Sequence, residues 1–277
     1  MGRVHEFWGE LIGTFILVFF GCGSVAVTVL FNAHTGLFQV AGVWGLGVML
    51  AIYATRHLSC AHLNPAVSLA MVFGRRMTAR KLPVYLIGQF SGAFIAAVVL
   101  YSLFCNSISA YEVLNGITRG APESIKTAMI FGEFYPNPGV NAAIEVSFWN
   151  AFGVEATGTF LLVLMIFSLT EGCNVGRPDD ALAPLFIGLT VAAIISVLAP
   201  LTQAGLNPAR DFGPRLFAWL AGWKAAAFPD QKYGFVIIYV LGPLVGGTTA
   251  SLLFVRLLEP MMKAKSENSC CNKINKI

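Results

Sequence analysis

Charge is what this sequence has least of. Asp, Glu, Lys and Arg make up 12% of its 277 residues, against 56% hydrophobic ones, and the mean hydropathy is +0.72. A soluble domain carries about 25% charge, so a water-exposed surface could not be covered; the chain belongs in the bilayer. Metal-ligand spacing is missing too. Cys22, Cys60, Cys105, Cys173, Cys270 and Cys271 form neither a CxxC pair nor an interleaved Cys/His pattern, which argues against a metal or redox site. No nucleophile–base constellation or phosphate-cradling glycine loop stands out, so no enzyme, cofactor or nucleic-acid partner is expected. A cleavable leader is not evident either: the apolar run from Phe7 to Phe31 is too long for its core and reads as a first span.

Long apolar stretches are what the sequence has instead. Six of them, at about 6–31, 37–57, 83–104, 144–170, 181–200 and 233–258, meet the roughly 20 residues that a spanning helix needs. Two further segments, His62 to Phe73 and Leu206 to Leu220, are too short to cross. The first carries Asn64-Pro65-Ala66 near its start, the second Asn207-Pro208-Ala209. The halves repeat one order: span, span, short segment, span. From Glu10 to Asn64 is 54 positions (64 − 10), and from Glu155 to Asn207 is 52 (207 − 155). Three crossings leave the next copy starting on the opposite face, so the repeat, about 5–104 and 144–258, is inverted. The fold expected is all-α, with six transmembrane helices and two re-entrant half-helices whose tips meet near the midplane. Residues 1–262 form one domain, followed by a polar cytoplasmic tail at 263–277.

Placing both termini in the cytoplasm puts Arg3, Arg56, Arg75, Arg76, Arg80, Lys81, Arg177, Arg256, Lys263, Lys265, Lys273 and Lys276 inside, twelve of the 18 Lys and Arg, as the positive-inside rule prefers. Lys232 falls outside with the remainder. The external stretch Cys105 to Asn141 is read as a vestibule or as a packed connector. The tail is read as solvated rather than lipid-bound, and Cys270–Cys271 as reduced thiols rather than lipidated ones.

Proline suits the first helical turn, where its missing N–H has no intrahelical partner, and asparagine before it is a good N-cap. Each Asn-Pro-Ala therefore begins a half-helix whose positive end points inward, and two such ends together disfavour cations. The amides of Asn64 and Asn207 can donate to a passing hydroxyl and interrupt a water wire. One such tripeptide is weak evidence; two at equivalent places in an inverted repeat are strong. Non-helical backbone at membrane depth persists only where buried or lining a watery cavity, so Leu58–Leu63 and Leu201–Leu206 are expected to supply wall carbonyls. Glu10 and Glu155, costly inside spans, are read either as a proton relay or as acceptors bracing the loop of their own half; their symmetric positions favour bracing. His62 is read as a wall or bracing residue and not as a metal ligand. Arg210, one turn into the second half-helix, is expected to donate to solute oxygens and repel cations, with Asp211 bracing it or the helix start.

The stretches Phe7–Gly13, Ala61–Val67 and Leu206–Arg215 resemble the major intrinsic protein family, and the likeness covers about 5–258. It looks closest to the bacterial glycerol facilitators. The resemblance implies a passive plasma-membrane channel with a pore in each subunit of a homotetramer. That channel would pass glycerol, other small neutral solutes and some water while excluding ions and protons. Asp211, Arg215 and Pro243-Leu244 match the glycerol-conducting branch. Of the family's four filter positions, Trp44 and Arg210 match the glycerol facilitators, whereas Ile195 stands where Gly is typical and Ala204 where an aromatic is typical. Trp44, Ile195, Ala204 and Arg210 together look like the filter of nodulin-type plant channels, with Trp, Val, Ala and Arg. The rival readings are a water-selective or metalloid channel of the same fold, an ion-coupled transporter built on Glu10 and Glu155, and a junctional protein with a closed pore.

Overall fold

The computed structural model describes residues 2–140, 145–228 and 233–265, and all regular structure among them is helical. Six helices are long and apolar enough to cross a membrane. In chain order we name α1 (Gly2–Phe31), α2 (Leu37–Ser59), the half-helix α3 (Pro65–Phe73), α4 (Leu82–Leu114), α5 (Phe148–Thr170), α6 (Ala183–Thr202), the half-helix α7 (Pro208–Ala218) and α8 (Gly234–Lys265). Lys232, Cys270–Cys271, Lys273, Lys276 and all of the expected tail beyond residue 265 lie outside the described residues.

Packing follows the repeat. Within the first half α1 lies against α2 and α4; within the second, α5 lies against α6 and α8. The halves meet along α2 and α6, and each half-helix crosses over: α3 packs on α8 and α7 on α4. Neither half closes without the other. Lipid supplies no hydrophobic drive between helices, so close backbone approach and buried hydrogen bonds hold the bundle. At the α2–α6 seam a Cβ on Gly45 would come 2.5 Å from the carbonyl oxygen of Gly188, and the converse is tighter still. Only hydrogen fits there.

Two helix ends differ from the sequence expectation. α8 continues past 258 to Lys265, into the stretch expected as tail, and the stretch expected to begin at Cys105 begins later, because α4 runs on to Leu114 through Asn106, Ser107, Ser109 and Glu112. Tertiary contacts hold this polar extension. Buried Glu112 accepts from Arg119 Nη2 at 2.8 Å and from Thr127 Oγ1 at 2.8 Å, and Trp223 Nε1 donates to Thr127 Oγ1 at 2.9 Å. The connector that follows is folded onto the bundle, with Phe131, Phe134 and Glu133 buried.

Candidate functional site

The two half-helices begin at the Asn-Pro-Ala tripeptides. Asn64 caps α3, its Oδ1 accepting from the Ala66 N–H at 2.8 Å. Asn207 caps α7, its Oδ1 accepting from Ala209 and Arg210 N–H at 3.0 and 3.2 Å. Pro65, Ala66, Pro208 and Ala209 fill the first turns and are buried. The amide nitrogens then reach across: Asn64 Nδ2 donates to the Leu206 carbonyl at 2.9 Å and Asn207 Nδ2 to the Leu63 carbonyl at 2.7 Å. The two tips are fastened to each other.

The backbone before each tip repeats as well. Cys60, Ala61 and Leu63 have φ of 69, 50 and 56°, and Gln203, Ala204 and Leu206 have 60, 57 and 55°. Left-handed non-glycine residues are costly and persist only where the surroundings over-determine them. Glu10 and Glu155 supply that constraint. Glu10 accepts from the His62 and Leu63 N–H groups at 2.9 and 2.7 Å, from Ser59 Oγ at 2.7 Å and from Gln89 Nε2 at 2.6 Å. Glu155 accepts from the Gly205 and Leu206 N–H groups at 2.9 and 2.7 Å and from Thr202 Oγ1 at 2.6 Å. With the N–H groups turned to a buried carboxylate, the opposite carbonyls are free to face a cavity. The irregular stretches are shorter than the sequence suggested. Leu58–Ser59 and Leu201–Thr202 are the last residues of α2 and α6, their carbonyls following the helix, so the candidate ladders shrink to residues 60–63 and 203–206.

Two cavities adjoin these stretches. The inner one, about 470 Å³, reaches from Arg56, Arg76 and Asp180 past His62, Asn64, Asn207 and Ala204. The outer one, about 320 Å³, is lined by His34, Glu133, Asn137 and Gln203 among others. Trp44, Ile195 and Arg210 line both. Three of the four expected filter residues therefore stand at the boundary, with Ala204 on its inner side. The Trp44 ring lies flat against α1, where a Cβ on Gly21 would overlap it. Arg210 is 4% exposed, and its guanidinium carbon sits 3.9 Å from the centroid of the Trp44 ring. Neither Glu10 nor Glu155 is among the residues lining either cavity. His62 is, with Nδ1 3.2 Å from Ser68 Oγ.

Asp211 braces something other than the half-helix start. Its Oδ1 accepts from the Glu133 N–H at 2.8 Å and from Arg215 Nη2 at 2.7 Å, while Arg215 also donates to the carbonyls of Ala227 and Glu133. The pair pins the connector between α4 and α5 beside the outer cavity.

Two half-helices are joined tip to tip inside a six-span bundle, their asparagines lining the inner cavity, and sequence comparison agrees. The family model for "Major intrinsic protein" matches residues 2–254. The chain belongs to the major intrinsic protein family. Among its curated relatives, the glycerol uptake facilitator protein of Escherichia coli (strain K12) is 40% identical over 250 residues, 90% of this chain and 86% of that protein. The facilitator of Haemophilus influenzae is 40% identical over 251 residues, 90% and 92%. The propanediol uptake facilitator PduF of Salmonella typhimurium is 37% identical over 246 residues, 88% and 90%. Among solved structures, the aquaglyceroporin from Plasmodium falciparum superposes with a TM-score of 0.81 at 27% identity, covering 95% of this chain and 99% of that one. As a member of this family with six apolar spans, the protein is a multi-pass membrane protein.

One residue at the boundary had escaped the sequence reading. Glu133 is buried and forms an ion pair with Arg210. Its signal was faint: a single acidic residue inside the apolar run Ala128 to Tyr135.

Proposed function

We propose that this protein is a passive channel for glycerol and other small uncharged solutes, with some water passing alongside, and is not an enzyme. The observation that carries this reading is the boundary between the cavities, where the apolar Trp44 and Ile195 side chains stand together with the Arg210 guanidinium, whose carbon lies 3.9 Å from the centroid of the Trp44 ring. A polyol can lay its CH edge on Trp44 and Ile195 and give its hydroxyls to Arg210 and to the carbonyls of residues 203–206. The paired positive ends of α3 and α7 disfavour cations at the crossing point. In this reading Trp44, Ile195, Ala204 and Arg210 are the selectivity filter. Glu10, Glu155, His62 and Asp211 hold the loops.

Relatives named for glycerol and for propanediol uptake support small polyols as the solute class. Ile195 and Ala204 favour a second, broader reading within the same fold, in which other small neutral solutes pass as freely. Against an ion-coupled transporter stands the use of both intramembrane carboxylates: their hydrogen bonds go to their own loops, and neither lines a cavity. The protein is proposed to reside in the plasma membrane, the inner membrane in a bacterium, with both termini cytoplasmic and four copies assembled. The deciding experiment is stopped-flow light scattering on proteoliposomes challenged with glycerol, urea and an impermeant osmolyte. Glycerol entry faster than in empty vesicles, and unaffected by an uncoupler, is the expected result; accumulation against a gradient would end the channel reading.

A further inference from the structure

Arg210 does not face the passage alone. The connector between α4 and α5 delivers Glu133 to it, and both side chains are almost fully buried, at 4% and 3% exposure. Its place is fixed by its own backbone, whose N–H donates to Asp211 at 2.8 Å and whose carbonyl accepts from Arg215. The next residue is held too: the Phe134 N–H donates to Gln203 Oε1 at 2.9 Å. The facing loop leaves room for Glu133 at a glycine: Glu133 Cγ lies 3.3 Å from where a Cβ on Gly205 would stand. Glu133 lines the outer cavity, and its Oε2 is buried with no hydrogen-bond partner among the described residues.

We propose that Glu133 is a specificity-determining residue of the constriction, a carboxylate wall that stands beside Gly205, sets the Arg210 guanidinium by ion pairing, and selects solutes bearing adjacent hydroxyls. The proposal rests on the polyol-channel reading. Its chemistry is complementary: a hydroxyl that accepts from Arg210 can have a neighbouring hydroxyl that donates to Glu133, and a 1,2-diol does both at once. A carboxylate oxygen left without a partner in a buried site is costly, so a donating hydroxyl relieves that cost in passing. A single water can also bridge the pair, but it gives up its other hydrogen bonds against the apolar Trp44 and Ile195, where a diol lays its CH edge instead. The pair also removes the net charge at the constriction, which leaves cation exclusion to the two half-helix ends.

The test uses the full chain in proteoliposomes, with wild type, Glu133→Gln and Glu133→Asp compared for glycerol, 1,2-propanediol and water permeability. Loss of a hydrogen bond to a charged group predicts a glycerol-to-water ratio about tenfold lower in Glu133→Gln. Propanediol should fall likewise, with water flux changed less than about twofold. Glu133→Asp keeps the charge but withdraws it by one methylene, and should lower the ratio by a smaller factor, about threefold. If Glu133→Gln does not assemble, the aspartate variant decides alone. A ratio equal to wild type in the variant that assembles overturns the role of Glu133 while leaving the channel reading intact. Wild-type vesicles that admit no glycerol overturn the channel reading itself.

Discussion

The side-chain amide of Asn207 is hydrogen-bonded to the backbone carbonyl of Leu63 at 2.7 Å, across 144 positions of sequence. Asn64 returns the same bond to Leu206 at 2.9 Å. Each asparagine thus caps its own half-helix with its oxygen and locks the opposite loop with its nitrogen. The tips are one unit, and neither can be loosened without the other.

Asn207→Ala is therefore expected to remove a cap and a cross-link together. Caps of this kind contribute about 1 kcal/mol and a buried hydrogen bond about another, so the apparent melting temperature in detergent should drop by several degrees. Asn64→Ala should behave alike, and the double variant should lose less than the sum because both cross-links fasten the same pair of tips. Fully additive losses would contradict the coupling.

Glu155 offers a sharper case. Its carboxylate only accepts, taking the Gly205 N–H on one oxygen and the Leu206 N–H on the other; a Gln in its place must aim its amide N–H₂ at one of these donors and leave that donor unpaired. Glu155→Gln should cost about 2–3 kcal/mol and sharply reduce the yield of folded protein in size-exclusion profiles, as should Glu10→Gln. Well-folded variants that instead gain or lose proton coupling would revive the relay reading.

Arg210→Ala removes the guanidinium stacked 3.9 Å from the Trp44 ring and strands Glu133 as an unpaired carboxylate. The constriction widens and turns acidic. Vesicles carrying this variant should leak small cations and protons more than wild-type vesicles do, as read by a pH-sensitive dye. Unaltered selectivity in liposomes would count against Arg210 as part of the filter.

Ala204→Phe places a ring where one methyl stands, on the inner side of the boundary formed by Trp44, Ile195 and Arg210. The range of solutes should narrow, with those larger than glycerol lost first. Retained passage of larger polyols would remove residue 204 from the constriction.

Much of this architecture was legible before any coordinates. The six spans are set by apolar runs long enough for the bilayer, and the half-helix starts by Asn-Pro-Ala, whose residue types suit the N-cap and first turn. Trp44, Ile195, Ala204 and Arg210, proposed as the filter from motif alignment, all line the inner cavity, and all but Ala204 line the outer one as well. Harder to read were the end of α4 and the position of Glu133. A hydropathy pattern ends a helix where polar residues begin, yet Asn106 to Glu112 stay helical because Arg119 and Thr127 satisfy Glu112 from the connector.

Sequence alone determined that the chain enters the bilayer, that it is an inverted repeat, and that two helix starts lie at membrane depth, because composition, periodicity and capping act locally. Tertiary structure alone decided what faces Arg210. Glu133 is 77 positions away (210 − 133), and only the long-range bonds from Asp211 and Arg215 carry it there. A contact made by folding a connector back over the bundle leaves no period in the sequence, which is why the acid partner of the constriction had to be seen in space.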